Sequence, residues 1–133
     1  MDRVPPLRIL LVEDNPINQK VASRVLENAG HSVTIAVNGA EAVDHVTERH
    51  FDLVLMDVMM PEMDGLSATV AIRESEHGTD RHVPIVALTA NAMQGDREKC
   101  LEAGMDGYVS KPIQPPLLFE EIAQTLRRFR NGA

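Results

Sequence analysis

Hydrophobic residues in this chain fall into short continuous runs, separated by longer stretches in which they recur at helical spacing. Arg8 to Val12 is such a run, and it suits a strand buried on both faces. It ends at Glu13 and Asp14. Asn15 then reads as an N-cap and Pro16 as the first helical residue. Apolar residues at 17, 21, 22, 25, 26 and 29 follow with helical period until Gly30 stops the helix. Ser32 to Val37 is strand-like, and Asn38 can cap a second helix through Glu41, Ala42, Val43 and Val46. A third strand runs from Phe51 to Met56 and ends at Asp57. Met60 to Gly65 is turn-rich, and a third helix spans about Leu66 to Glu76. After a polar link from Gly78 to His82, Pro84 to Leu88 forms a fourth strand ending at Thr89. Asn91 to Ala103 is a fourth helix closed by Gly104. Gly107 to Ser110 is a fifth strand, followed by Lys111 and Pro112, and Pro115 to Arg130 is the last helix. Strands alternating with helices imply a parallel sheet covered by helices on both faces.

Composition narrows the function classes. The 133 residues fit one domain, expected over 8–130, with 1–7 a linker or cut end and 131–133 a tail. Hydrophobic residues are 44% of the chain but aromatics only 3%, so aliphatic side chains must build the core. A net charge of −7 argues against nucleic-acid binding, which needs a basic face. The single cysteine, Cys100, cannot form an internal disulfide, which favours a reducing compartment. Met1 to Pro6 lacks the apolar core of a signal peptide, and no apolar run approaches bilayer-spanning length, so no direct membrane contact is expected.

The polar residues lie where an open parallel sheet binds ligands, beyond the carboxyl ends of its strands. Glu13 and Asp14 follow the first strand, Asp57 the third, Thr89 the fourth and Lys111 the fifth. If the first and third strands are neighbours, three carboxylates converge in one crevice. Such a cluster repels itself unless a cation or proton intervenes. Its hard oxygen ligands suit Mg²⁺, and no histidine or cysteine is spaced for a soft metal. A divalent cation, an ammonium, a hydroxyl and a spare carboxylate match the needs of phosphoryl transfer, which depends on positioning and charge neutralisation. The spare carboxylate can attack phosphorus and become an acyl phosphate.

The sequences around these positions are LVEDN at 11–15, LMDVMMPEMDG at 55–65, ALTAN at 87–91 and GYVSKP at 107–112. In that order they resemble the receiver domain of two-component response regulators, over roughly residues 8 to 128. The resemblance implies a flavodoxin-like, doubly wound (βα)₅ fold of three α/β/α layers, with strand order 2-1-3-4-5. It also implies a role for each matching position. Asp57 would be the phosphoacceptor, attacking a phosphohistidine of a histidine kinase or a histidine phosphotransfer domain. Mg²⁺, for which Mn²⁺ can substitute, would be held by Asp14, by Asp57, by the backbone carbonyl of Met59 and, through water, by Glu13. Thr89 and Lys111 would contact phosphoryl oxygens. Tyr108 would be an aromatic switch turning inward as Thr89 moves, the Lys111–Pro112 bond would be cis, and the small Ala90 would leave the phosphoryl group accessible. Met59, across from Asn91, sits where the side chain tunes dephosphorylation. The output would be a changed surface over the fourth helix, fifth strand and fifth helix, with homodimerisation through those helices a further option. Asp14 to Gln19 resembles the first helix of receivers in hybrid histidine kinases, where Ile17, Val21 and Pro112 would form an apolar docking patch. The protein would then be cytoplasmic, free or as the soluble part of a membrane-bound kinase.

Plainer readings stand beside these. Glu13 and Asp14 could simply favour the N-terminus of the next helix, Asp57 could open a turn, and Thr89 could be an N-cap. Asp64-Gly65 reads as turn chemistry, with Gly65 supplying a positive φ. Tyr108 could be core filler, Lys111 a solvated lysine, and Ile17 and Val21 could both pack inward. Cys100 reads as a small hydrophobe. Among other functions, an aspartyl-phosphate hydrolase would want a second aspartate where Met59 stands. A flavin carrier would want a glycine- and hydroxyl-rich loop where Glu13 and Asp14 would repel phosphate. A pseudo-receiver scaffold would not need the intact acidic set. A stand-alone regulator is the alternative to the hybrid kinase. In either context the domain would catalyse only its own phosphorylation and dephosphorylation.

Overall fold

A computed structural model describes residues 6–58, 65–79, 81–89, 94–110 and 113–132, without the side chains of 94–97 and 128–132. The elements alternate as expected: β1 (Arg8–Val12), α1 (Pro16–Asn28), β2 (Ser32–Ala36), α2 (Gly39–Glu48), β3 (Leu53–Asp57), α3 (Gly65–Glu76), β4 (Ile85–Thr89), α4 (Gln94–Ala103), β5 (Gly107–Ser110) and α5 (Pro115–Gly132). All pairings are parallel, in the order β2-β1-β3-β4-β5.

The continuous apolar runs are strands because both their faces are covered. Leu10, Val12, Val54, Met56, Ile85 and Ala87 pack with Ala42, Val46, Ala68, Ile72 and Cys100 from α2, α3 and α4. The alternate residues Ile9, Leu11, Leu53, Leu55, Val86 and Leu88 pack with Ala22, Leu26, Leu118 and Ile122 from α1 and α5. Successive side chains point to opposite faces of a strand, so one run feeds two cores.

Boundaries shift where hydrogen bonding overrides pattern. Phe51 and Asp52 precede β3, because the Asp52 carboxylate accepts the Arg8 N–H at 2.8 Å while Asp52 N–H donates to the Arg8 carbonyl at 2.8 Å. Asp57 and Thr89 lie inside their strands, as the last residues. The apolar spacing in α1 overstates its buried face: Ala22 and Leu26 are buried, whereas Ile17, Val21 and Ala29 are exposed. The helix α5 continues past its expected end at Arg130 to Gly132.

Helix ends are closed by local bonds. Asn15 Oδ1 accepts from Ile17 and Asn18 N–H at 2.9 and 3.1 Å, and Asn38 Oδ1 accepts from Glu41 N–H at 2.8 Å. Gly104, at φ +107°, lets Met105 N–H turn back to the Cys100 carbonyl at 3.0 Å, a reversal that strains any residue with a Cβ.

Arg73 on α3 crosslinks the amino edge of the sheet. Its Nε donates to the Gly104 carbonyl at 2.9 Å, Nη1 to Glu76 Oε1 at 2.7 Å and the Val83 carbonyl at 2.9 Å, and Nη2 to Asp106 Oδ2 at 2.8 Å. The two carboxylates also accept the Val83 and Ile85 N–H groups. This fork joins α3, the start of β4 and the α4–β5 connection. No single segment of sequence signals it.

Candidate functional site

At the opposite, carboxyl edge the register brings the acidic residues together. Val12 pairs with Met56 across β1 and β3, so Glu13 and Asp14 leave β1 level with Asp57. One carboxylate oxygen from each of Glu13, Asp14 and Asp57 lies within 4.8 Å of the others. Glu13 and Asp57 are buried at 2% and 5% exposure, while Asp14 is exposed. The site thus has a recessed floor and an open acidic lip. Two unit charges at this spacing repel by about 3 kcal/mol at an effective dielectric of about 20. That exceeds the net worth of about 1 kcal/mol for a hydrogen bond. A divalent cation relieves the repulsion, and a donor set of three carboxylates is the oxygen-rich kind that suits Mg²⁺.

The floor is held by the backbone around it. Glu13 Oε2 accepts Asn15 N–H at 3.1 Å, the Glu13 N–H donates to the Ala36 carbonyl at 3.0 Å, and Gln19 Nε2 donates to the Glu13 carbonyl at 2.7 Å. Neither Asn15 nor Gln19 was identified from the sequence as a support of Glu13, because the contact depends on how α1 leaves β1. Gly65 is also explained differently from the expectation. Positive φ occurs at Gly30, Gly78 and Gly104, and Gly65 is not among them. A Cβ on Gly65 would instead meet the Asp57 carbonyl oxygen and lie 2.9 Å from Val58 Cα, while its N–H donates to the Val58 carbonyl at 3.1 Å. The glycine lets α3 begin directly against the Asp57 backbone.

Thr89 ends β4 beside Asp57, which pairs with Leu88, and is buried. Tyr108 on β5 pairs with Ala87 and is half-buried, packed against the core under α4. Ile17 and Val21, at 72% and 50% exposure, do not pack inward. The expectations for Met59, Ala90, Asn91, Lys111 and Pro112, including a cis Lys111–Pro112 bond, fall outside the described residues.

A model of the response regulator receiver domain matches residues 9–123. The chain belongs to that family. Receiver domains of its kind occur within much longer proteins. The chain is 48% identical over 122 residues to hybrid signal transduction histidine kinase I of Dictyostelium discoideum, covering 88% of this chain and 7% of that kinase. The polar-differentiation response regulator DivK of Brucella ovis is 39% identical over 118 residues, covering 89% of this chain and 94% of DivK.

Solved receivers share the architecture. The receiver domain of a Pseudomonas aeruginosa sensor histidine kinase, with magnesium coordinated in its active-site cleft, is 47% identical with a TM-score of 0.79, over 90% of this chain and 96% of that one. The receiver domain of Saccharomyces cerevisiae Ssk1, crystallised with the histidine phosphotransfer protein Ypd1, is 35% identical with a TM-score of 0.81, over 90% and 88%. The three-layer fold with strand order 2-1-3-4-5 is that of a receiver. No helix among the described residues is long and apolar enough to cross a membrane.

Proposed function

We propose that this receiver domain accepts a phosphoryl group on Asp57 from a partner phosphohistidine. The observation that carries the reading is the convergence of Glu13, Asp14 and Asp57 within 4.8 Å, with Thr89 at the end of the adjoining strand. A carboxylate oxygen of Asp57 attacks phosphorus in line with the P–N bond. That bond breaks, the partner's imidazole leaves, and an acyl phosphate remains on Asp57. Asp14 and Asp57 would hold Mg²⁺ directly, with the Met59 carbonyl as the further ligand the family resemblance implies and Glu13 reaching the ion through water; when bound it would neutralise charge that otherwise repels the incoming phosphoryl group. Thr89 and Lys111 bind phosphoryl oxygens.

The added charge draws Thr89 toward the phosphoryl group, and Tyr108 turns inward into the space this opens. The surface of α4, β5 and α5 changes as the output, a two-state shift biased by the new charge. Exposed Ile17 and Val21, one helical turn apart, offer the apolar patch on which a histidine phosphotransfer or kinase domain docks, and the family resemblance adds Pro112 to it. The relationship to hybrid kinases supports a receiver within such a kinase, on the cytoplasmic side of the membrane. Near-complete coverage of DivK supports a second reading, a stand-alone regulator. A kinase core encoded upstream in the same gene decides between them.

Intact mass after incubation with acetyl phosphate or phosphoramidate, with and without Mg²⁺, tests the acceptor. A Mg²⁺-dependent gain of one phosphoryl group that disappears in Asp57→Asn is the expected result. No gain from these donors or from a phosphorylated phosphotransfer domain, together with no Mg²⁺ binding, would leave a pseudo-receiver scaffold.

A further inference from the structure

The amino edge of the sheet, on the far side from Asp57, carries a cavity of about 510 Å³ between the ends of α2 and α3 and the starts of β3 and β4. Its size falls among small-molecule sites, which commonly span about 300–1,000 Å³. Its chemistry is unlike the rest of this net-acidic chain. Arg49 and Arg81 both line it, and among the described residues neither guanidinium meets a carboxylate. His50 and His82 line it too.

The two lining carboxylates already have partners. Glu76 binds Arg73 at 2.7 Å and accepts Val83 N–H at 2.7 Å; Asp52 accepts Arg8 N–H at 2.8 Å and lies 3.4 Å from His50. Val46, Phe51, Val83 and Pro84 give the lining its apolar part, and Thr47, Ser75 and Thr79 add hydroxyls. Either arginine alone would be an ordinary solvated side chain. Two arginines that meet no carboxylate among the described residues, sharing one cavity with apolar side chains, make a recognition surface.

We propose that this groove binds a small organic anion, a phosphate or carboxylate group carried on an apolar body. The planar guanidinium of Arg49 or Arg81 grips the oxyanion through paired N–H donors, and the other adds charge. The apolar body lies against Phe51 and Pro84, which exclude water from the contact. An occupant also touches His82, whose Nε2 sits 2.9 Å from Asp106 Oδ1 in the Arg73 network.

Titration of the ¹⁵N-labelled chain by NMR tests this, with phenyl phosphate, benzoate and inorganic phosphate as probes. Mg²⁺ is omitted so that the acidic edge repels anions, and the outcome is independent of Asp57 chemistry. Phenyl phosphate or benzoate is expected to shift amides over residues 47–52 and 79–84, about tenfold more tightly than inorganic phosphate. The stronger of the two organic probes identifies the oxyanion. Arg49→Gln with Arg81→Gln is expected to weaken binding about tenfold without changing the melting temperature, since both side chains are exposed. Lysine at both positions keeps charge but loses the fork, and is expected to fall between. Absence of shifts at these residues, equal binding by the double glutamine variant, or inorganic phosphate binding as tightly as the organic probes would each overturn the proposal.

Discussion

The Arg73 guanidinium donates to Asp106 at 2.8 Å while also holding Glu76 at 2.7 Å, so one cation serves two acidic side chains from different parts of the chain. Side-chain exposures of 16%, 8% and 17% place all three largely out of water. Removing one member of such a group strands the charge of the others. Arg73→Met is therefore expected to lower stability by about 3 kcal/mol, read as a drop in urea midpoint at unchanged slope. Adding Asp106→Asn to that variant should recover part of the loss, because one stranded charge goes with it.

Substitution at Gly65 should act on the site and on stability together. A methyl group there collides with the Asp57 carbonyl and Val58 Cα, so the β3–α3 junction must open. Gly65→Ala is expected to cost about 1–3 kcal/mol. It should also slow phosphorylation from acetyl phosphate by well over the loss in folded fraction, since the displaced backbone carries Asp57, the proposed acceptor. A variant that melts lower but phosphorylates at the wild-type rate would contradict this.

Acid should weaken the domain through His31. Its Nδ1 accepts the Leu7 N–H at 3.0 Å, and burial holds its pKa below the ordinary value of about 6.5. The folded state thus favours the neutral ring more than the unfolded chain does, in which the ring binds a proton near pH 6.5. The stabilisation is complete above that pH and is lost as pH falls through it toward the lowered folded value. Urea midpoints measured from about pH 7.5 down to about 5.5 should fall in the wild type and fall less in His31→Gln, which retains an acceptor but does not titrate.

The acidic trio should make metal and stability interdependent. In Asp14→Asn one of three mutually repelling charges is gone, so the metal-free protein should melt higher than wild type. Added Mg²⁺ should raise the wild-type melting temperature by binding the folded state, and should raise that of Asp14→Asn much less. Thermal melts with chelator and with excess Mg²⁺ read both effects.

Much of this was legible in the chain. The runs at 8–12, 51–56 and 84–88 read as strands of a parallel sheet, and the polar residues ending them lay at the ligand edge of any such sheet. Glu13, Asp14, Asp57 and Thr89 could therefore be selected before their strands were placed beside one another. The exposure of Ile17 and Val21 agrees with the docking patch that the family resemblance implied, but helical spacing alone left inward packing open, because it counts apolar residues without showing which part of the stripe the sheet reaches. Gly65 was misjudged for a similar reason: composition marks a glycine, but not whether it is needed for its φ or for space.

Local pattern determined the elements, their order and the chemistry at the strand ends, because strand and helix periodicity, caps and turn residues act over a few positions. Tertiary structure alone decided which distant groups meet. Arg73 reaches Asp106 across 33 residues, and the α2–β3 and α3–β4 connections join in one cationic groove. Those contacts depend on strand register and helix placement, and these are set by the packing of two cores on the faces of one sheet.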